Sequence, residues 1–333
     1  MSCVNPNYIR VRVNDNDGTL CYTFQGSARH QDARQFGTYA DLATRGWFNV
    51  LVPCRHCLGC RIDYSRMWAN RMCLELKDNP TAIFVTLTYD NEHLPLVESS
   101  DPVASGSEFV ATLSKRDFQL FFKRLRKAFP GKKIRYYLAG EYGKKFTKRP
   151  HGHAIIYGLG LSDFPDLYVD QYNKLGQPLF RSKKFEDIWQ GGRCSISEVN
   201  FQTCAYVARY TLKKHYGDSR KELYGAEPEF NLSSRRPGIG LSQYEKIMDS
   251  YSDYVTFRTS DGVHTIPIPK AVIRTSREHN LHLDRCIEFC YNRLNISSQK
   301  LESELAWSEK SFHDYLCDNY KSLRDRIKLL EER

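Results

Sequence analysis

Two short stretches hold the residues of this 333-residue chain that are best spaced for chemistry. In Arg149-Pro150-His151-Gly152-His153-Ala154-Ile155-Ile156 two imidazoles stand two positions apart in a strand-like run. Alternate residues of a strand share a face with Cα atoms roughly 6–7 Å apart, close enough for both rings to bind one cation. In Tyr206-Val207-Ala208-Arg209-Tyr210-Thr211-Leu212-Lys213-Lys214 two phenols fall at i and i+4 of a helix, and Lys213 continues their stripe. A packed aromatic face is the plain alternative, but a wholly buried stripe rarely carries lysine. A phenol with pKa near 10 is a weak nucleophile at neutral pH and needs a neighbouring cation or metal. Both are offered here, which points to metal-assisted attack of tyrosine on a phosphodiester. Two tyrosines allow one to form a 5′-phosphotyrosine and free a 3′-hydroxyl for priming, while the other cleaves the regenerated junction later.

These side chains need elements to position them. Ala82–Tyr89 alternates as a strand, with Phe84, Thr86 and Thr88 on one face and Val85, Leu87 and Tyr89 on the other. Lys133–Tyr142 and His151–Gly158 are expected to pair as a hairpin around the polar loop Gly143–Pro150. Pairing symmetric about that loop sets Glu141 opposite His153, its carboxylate on the face of both histidines. Two imidazoles and one carboxylate with open positions suit Mg²⁺ or Mn²⁺. Ser114 is expected to cap a helix running to about Phe129, apolar at Phe118, Phe121, Phe122, Leu125 and Phe129 and basic on its other side. Asp90–Leu113 and Leu159–Pro178 read as loops, Phe185–Trp189 as a short helix, Gly192–Val199 as a strand and Gln202–His215 as the tyrosine helix. Upstream, Ile9–Val13 and Leu20–Phe24 are β-like and Arg61–Lys77 is helical. Downstream, Tyr251–Pro269 is expected as a hairpin and the chain from about Leu283 as helical. No G-x-x-x-x-G-K-S/T loop occurs, so nucleotide-driven unwinding is not built in.

The net charge is +10, yet Lys115–Arg149 holds thirteen basic residues against two acidic ones, so the rest of the chain is close to neutral. A charge run can be a plain solvated helix face; leading straight into two histidines, it reads as the approach for a polyanion, with Tyr136, Tyr137 and Tyr142 available to stack on bases. No apolar run nears the roughly 20 residues of a spanning helix, and no secretory signal is visible, so the expectation is a cytoplasmic protein. Eleven cysteines, an odd number, argue against a disulfide framework, and Cys54-x-x-Cys57-x-x-Cys60 suggests metal.

The strand Thr86-Leu87-Thr88-Tyr89, the run Gly140-Glu141-Tyr142-Gly143 followed by Arg149-Pro150-His151-Gly152-His153, and Tyr206-x-x-x-Tyr210-x-x-Lys213 together resemble the HUH endonucleases. The similarity is to the two-tyrosine rolling-circle initiators of small single-stranded DNA phages, the Microviridae, most like the gokushovirus branch, over roughly residues 50–216. The resemblance implies an α+β fold: a central antiparallel sheet of ferredoxin- or RRM-like type flanked by helices. It implies an initiator that nicks and religates origin DNA in the host cytoplasm, with Tyr206, Tyr210 and Lys213 as catalytic groups and Glu141, His151 and His153 as ligands of Mg²⁺ or Mn²⁺. Thr86, Thr88, Lys123, Arg124, Lys127, Lys144, Lys145, Lys148, Arg149 and Lys214 are the expected DNA contacts. Single-stranded or hairpin origin DNA, a host helicase and a host polymerase are the expected partners, with no membrane role. One departure stands out: the residue between the histidines is usually bulky and hydrophobic, and here it is Gly152, which bears on packing rather than on the ligands. The cysteines also resemble that branch, where an early Cys-x-x-Pro, here Cys3-Val4-Asn5-Pro6, precedes a three-cysteine segment. Cys3 with Cys54, Cys57 and Cys60 would complete a structural zinc site, with His56 and Cys73 as alternative fourth ligands.

The expected organisation is a Cys-rich region over 1–77, the nuclease domain over 78–216, and a mixed, then helical, region over 217–333. Rival readings are a plasmid initiator, relaxase or transposase with the same chemistry, a water-using metallonuclease, and a non-catalytic zinc-stabilised single-strand binding protein.

Overall fold

The computed structural model describes residues 3–14, 16, 19–27, 46–143, 148–210, 221–259, 262–308 and 310–332. The chain divides into two compact units, one of Met1–Tyr64, Tyr244–Asp253 and Ile268–Arg333, the other of Ser65–Gln243 with Tyr254–Pro267.

The first unit starts with strands β1 (Asn7–Val13), β2 (Leu20–Ser27) and β3 (Phe48–Val52), which form an antiparallel sheet in the order β2-β1-β3. Alternation along β1 buries Ile9, Val11 and Val13. Helix α1 (Leu58–Asp78) follows the cysteine turn.

The second unit is built on seven antiparallel strands in the order β12-β7-β8-β4-β11-β10-β9. They are β4 (Ala82–Tyr89), β7 (Arg135–Tyr142), β8 (Pro150–Tyr157), β9 (Tyr168–Tyr172), β10 (Pro178–Arg181), β11 (Gly192–Glu198) and β12 (Phe230–Ser233). A small hairpin of β5 (Leu96–Glu98) and β6 (Phe109–Ala111) precedes α2 (Lys115–Ala128), α3 (Lys183–Trp189) lies between β10 and β11, and α4 (Phe201–Arg209) carries Tyr206. The antiparallel sheet, its flanking helices and the cysteine-rich start match the α+β expectation.

Each face of the sheet follows from strand alternation. One face presents Ile83, Val85, Leu87 and Tyr89 of β4 with Ala154 and Ile156 of β8, Leu138 of β7, and Cys194 and Ile196 of β11. It is covered by Phe118, Phe121, Phe122 and Leu125 of α2 and by Phe185 and Trp189 of α3. Each such side chain gains roughly 1.5–3 kcal/mol on burial, so α2 is held by its apolar stripe rather than its charges. Ser114 caps α2 as expected, its hydroxyl accepting from Asp117 N at 3.2 Å.

The other face is partly covered by α1. Trp68 packs on Tyr137 with ring centroids 4.7 Å apart, and the Tyr157 hydroxyl donates to Met72 O at 3.0 Å. The buried Arg135 guanidinium pairs with Glu75 and also donates to Pro237 O at 2.9 Å. Glu75 in turn accepts from Gly240 N at 2.7 Å. A buried pair with this many satisfied donors fixes α1 on β7; deleting one partner alone strands a buried charge at about 3–5 kcal/mol.

Several expectations need correction. Asp90–Leu113 is not one loop: β5 and β6 pair within it, and Asp101 caps a single turn at Pro102–Ser105 that ends on Gly106 at φ +73°. Three-residue strands are too short to show alternation. Leu159–Pro178 likewise contains β9, turned into β10 where the Asn173 side chain accepts from Leu175 N and Gln177 N. The hairpin β7–β8 is offset from the symmetric pairing, so Glu141 lies opposite His151, and Ala139 opposite His153. That shift is two residues, which preserves the face. Strands β3 and β12 lie in stretches with no expectation.

The first unit resumes with α5 (Tyr244–Asp249), α6 (Lys270–Glu278), α7 (Leu283–Ser308) and α8 (Phe312–Glu332), and Ile287 and Tyr291 of α7 pack on the β1–β3 core. The expected hairpin is β13 (Tyr254–Thr259) and β14 (Gly262–Pro267), although Ser260 and Asp261 at its tip lie outside the described residues. Among the described residues no helix is long and apolar enough to cross a membrane.

Candidate active site

His151 and His153 project from β8 onto the sheet face opposite α2, and Glu141 joins them from β7. The Nε2 atoms of His151 and His153 lie 2.9 Å and 3.2 Å from the same carboxylate oxygen of Glu141. One ligand atom from each of the three falls within 4.8 Å of the others. The far side of each ring is tied down: His151 Nδ1 donates to Arg149 O at 3.0 Å, and His153 Nδ1 is 3.0 Å from Thr86 Oγ1. A neutral His151 whose Nδ1–H serves that carbonyl presents a bare Nε2 lone pair toward Glu141. Two imidazoles oriented by outer partners around a carboxylate, with positions left open, fit a divalent cation that must also accept a substrate oxygen.

Between the histidines, Gly152 faces the opposite side. A Cβ there would meet Phe118 ring carbons at 2.6 Å and 2.9 Å. The volume that a bulky residue would fill is taken by Phe118 from α2, so the departure at Gly152 is compensated within the core and leaves the ligand face unchanged.

Helix α4 lays the two tyrosines over this cluster. Asn200 caps it, accepting from Thr203 N at 2.8 Å, while Thr203 Oγ1 accepts from Asn200 N at 2.8 Å. Tyr210 stacks on His153 with centroids 4.5 Å apart and planes 5° from parallel. Tyr206 meets the same ring edge-on at 5.5 Å and Phe84 at 6.0 Å, and the two phenol rings are 5.1 Å apart. The environments differ: Tyr206 is 40% exposed and Tyr210 5%. Burial pushes the Tyr206 phenol above its ordinary value and Tyr210 strongly so, with the Glu141 carboxylate adding to both. The Tyr210 hydroxyl also hydrogen-bonds to Tyr206 and Glu141. Neither phenol ionises unaided near neutrality; the nearby cationic Arg209, 5.8 Å from the Tyr206 ring centroid, acts in the other direction on Tyr206.

The expected DNA contacts fall into different settings. Thr86 is engaged with His153, and Thr88 is half-buried directly between His151 and Arg193 in the sheet register. Lys123 and Lys127 are exposed on α2, with the sheet between them and the histidines. Arg124 donates to Ile188 O at 2.7 Å and Trp189 O at 2.6 Å, closing the C-terminal end of α3. Arg149 donates to Tyr89 O at 2.7 Å and to Asn91, and Lys148 is exposed. Lys144, Lys145, Lys213 and Lys214 lie outside the described residues. The three tyrosines expected to stack on bases are otherwise occupied: Tyr137 is buried, Tyr136 stacks on Phe122, and the Tyr142 hydroxyl donates to Glu227 O at 2.6 Å. Much of the basic run is therefore structural, and one cation on the histidine face, Arg193, carried no expectation.

A second cluster lies in the first unit. Cys3, Cys54, Cys57 and Cys60 bring four sulfurs within 4.8 Å of one another. The Cys57–Cys3 and Cys54–Cys60 Sγ separations are 3.7 Å and 3.9 Å, near the edge of about 3.8 Å of a tetrahedron with 2.3 Å zinc–sulfur bonds. Backbone N–H groups of Cys54, Arg55 and Cys57 donate to these sulfurs at 3.2–3.3 Å. A hydrogen bond from Cys3 drives the Cys57 thiol down to about 4, while burial pushes Cys60 up to about 12. His56 is exposed and Cys73 is buried on α1, and neither belongs to the group.

The family model for replication-associated protein ORF2 matches residues 82–215, the span from β4 through both tyrosines. Replication-associated protein ORF2 of Spiroplasma virus 4 is 31% identical over 291 residues, 85% of each chain. Replication-associated protein VP4 of Bdellovibrio phage phiMH2K is 34% identical over 58% of each chain. Replication-associated protein ORF4 of Chlamydia phage 1 is 30% identical over 50% of this chain and 39% of its own. No solved structure matches.

Proposed function

Because this chain belongs to the family of phage replication-associated proteins, we propose that it initiates rolling-circle replication by nicking and rejoining single-stranded DNA through tyrosine. The observation that carries the proposal is the convergence of Glu141, His151 and His153 beneath Tyr206 and Tyr210. Glu141, His151 and His153 would hold Mg²⁺ or Mn²⁺, which when bound polarises the scissile phosphate and offsets the charge developing on it.

The chain's own residues do the rest. Tyr206, the more exposed phenol, attacks phosphorus: its oxygen–phosphorus bond forms, the bond to the 3′ oxygen breaks, the phenol proton is lost and the leaving oxygen takes up a proton. The product is a 5′-phosphotyrosine and a 3′-hydroxyl able to prime synthesis. Tyr210, tied to Glu141 and Tyr206, is the reserve nucleophile for the regenerated junction, and Thr86 and the Arg149 carbonyl keep both imidazoles turned inward. Lys213 and Lys214 remain proposed assisting cations. Origin DNA, single-stranded or extruded, is the proposed substrate, and a host helicase and polymerase are the proposed partners in the infected cell. The four cysteines are proposed to hold a structural Zn²⁺ that ties the N-terminus to the start of α1.

Incubation with a single-stranded origin oligonucleotide and Mn²⁺ is expected to yield a covalent protein–DNA adduct that EDTA prevents. Tyr206→Phe combined with Tyr210→Phe is expected to abolish it. Cleavage leaving free 5′-phosphates and no adduct would instead mean attack by water.

A further inference from the structure

The antiparallel registers align one residue from each of four adjoining strands on the histidine face. Glu141 is opposite His151, His151 opposite Thr88, and Thr88 opposite Arg193. Arg193 on β11 thus stands two strands beyond His151, about 10 Å away at Cα. Its neighbours Cys194 and Ile196 are buried in the core beneath α2 and α3, so alternation sends Arg193 to the histidine side, where it is exposed.

The other described arginines of this region are committed to the protein. Arg124 and Arg149 serve backbone carbonyls, Arg126 donates to Ile134 O, and Arg135 pairs with Glu75. Among the described residues the Arg193 guanidinium has no hydrogen-bond or ion-pair partner. Between it and the ligands stand only Thr88 and, in the adjoining row, Thr86 and Ser195, short hydroxyl side chains that leave the sheet surface low. Five donors in a planar fork suit a phosphate, and the distance to the ligands is a few nucleotides of single strand.

We propose that Arg193 is the phosphate anchor of the bound strand, gripping a backbone phosphate near the scissile one and fixing its register beneath Tyr206. It is a positioning residue, and the proposal rests on the nicking reading above. It also moves the DNA track from the basic outer side of α2 to the opposite face of the sheet.

The test uses the full chain and a labelled single-stranded oligonucleotide, with EDTA present so that no cleavage occurs, and follows affinity over a salt series. Arg193→Ala is expected to weaken binding roughly tenfold and to flatten the slope of log affinity against log salt by about 0.7, one lost phosphate contact. Arg193→Lys, which keeps the charge, is expected to restore the slope. A wild-type slope in Arg193→Ala overturns the anchor, as does a slope change at Lys123→Ala without one at Arg193. Failure of the tyrosine adduct in the wild type, with the Arg193 slope effect intact, would instead sink the nicking reading and leave the anchor as a DNA contact. Wild-type protein with no salt-dependent binding would overturn both.

Discussion

The two faces of the β7-β8-β4-β11 sheet share one backbone and divide its labour by alternation. Beneath, Leu138, Gly152, Ala154, Val85, Leu87 and Ile196 meet α2 and α3 in a core without a charged group. Above, the intervening residues are Glu141, His151, His153, Thr86, Thr88 and Arg193, a row of ligands and donors only partly roofed by α1 and α4. The core face tolerates no change of volume yet takes no part in the chemistry. The ligand face tolerates loss of side chains structurally but not functionally. A one-residue slip of β8 would exchange the two, which is why packing beneath fixes chemistry above.

Substitutions can break that division. The largest effect is expected above: His151→Ala with His153→Ala should lower adduct formation by about 10³-fold or more while the circular dichroism spectrum stays native. Next, Thr86→Val removes the partner of His153 Nδ1 and should weaken Mn²⁺ binding by about 10–100-fold in a calorimetric titration, with Thr86→Ser largely restoring it. Beneath, Gly152→Leu drives atoms into Phe118 and should cost about 1–3 kcal/mol in urea unfolding, with activity retained at temperatures where the protein is folded. Phe118→Ala should make room for it, so that the double variant loses less than the sum of the single ones. The smallest effect is expected for Lys123→Ala with Lys127→Ala, on the outer side of α2: little change in adduct yield at moderate salt.

The sequence made the ligand face legible because its signals are local. A two-residue period puts His151 with His153 and Thr86 with Thr88, a four-residue period puts Tyr206 with Tyr210, and Ser114 marks the start of α2. What needed coordinates was long-range. The offset of β7 on β8 decides whether Glu141 sits opposite His151 or His153, and loop symmetry alone misplaced it by two residues. The basic run looked like a single DNA-binding surface because sequence proximity hides that α2 and β8 face opposite sides of the sheet. Gly152 made sense only beside Phe118, thirty-four positions earlier in the chain. Arg193 was invisible for the converse reason: a lone arginine in a short strand has no local signal until the register aligns it with Thr88, His151 and Glu141.

The central claim is that the tyrosines poised over His153 are the nucleophiles. Trapping the Mn²⁺-dependent product on a single-stranded origin oligonucleotide, digesting it and sequencing the modified peptide by mass spectrometry tests it directly. The expected result is a nucleotide linked to Tyr206, shifting to Tyr210 in Tyr206→Phe and disappearing in the double phenylalanine variant. A nucleotide on any other residue, or an adduct that survives in the double variant, would contradict it.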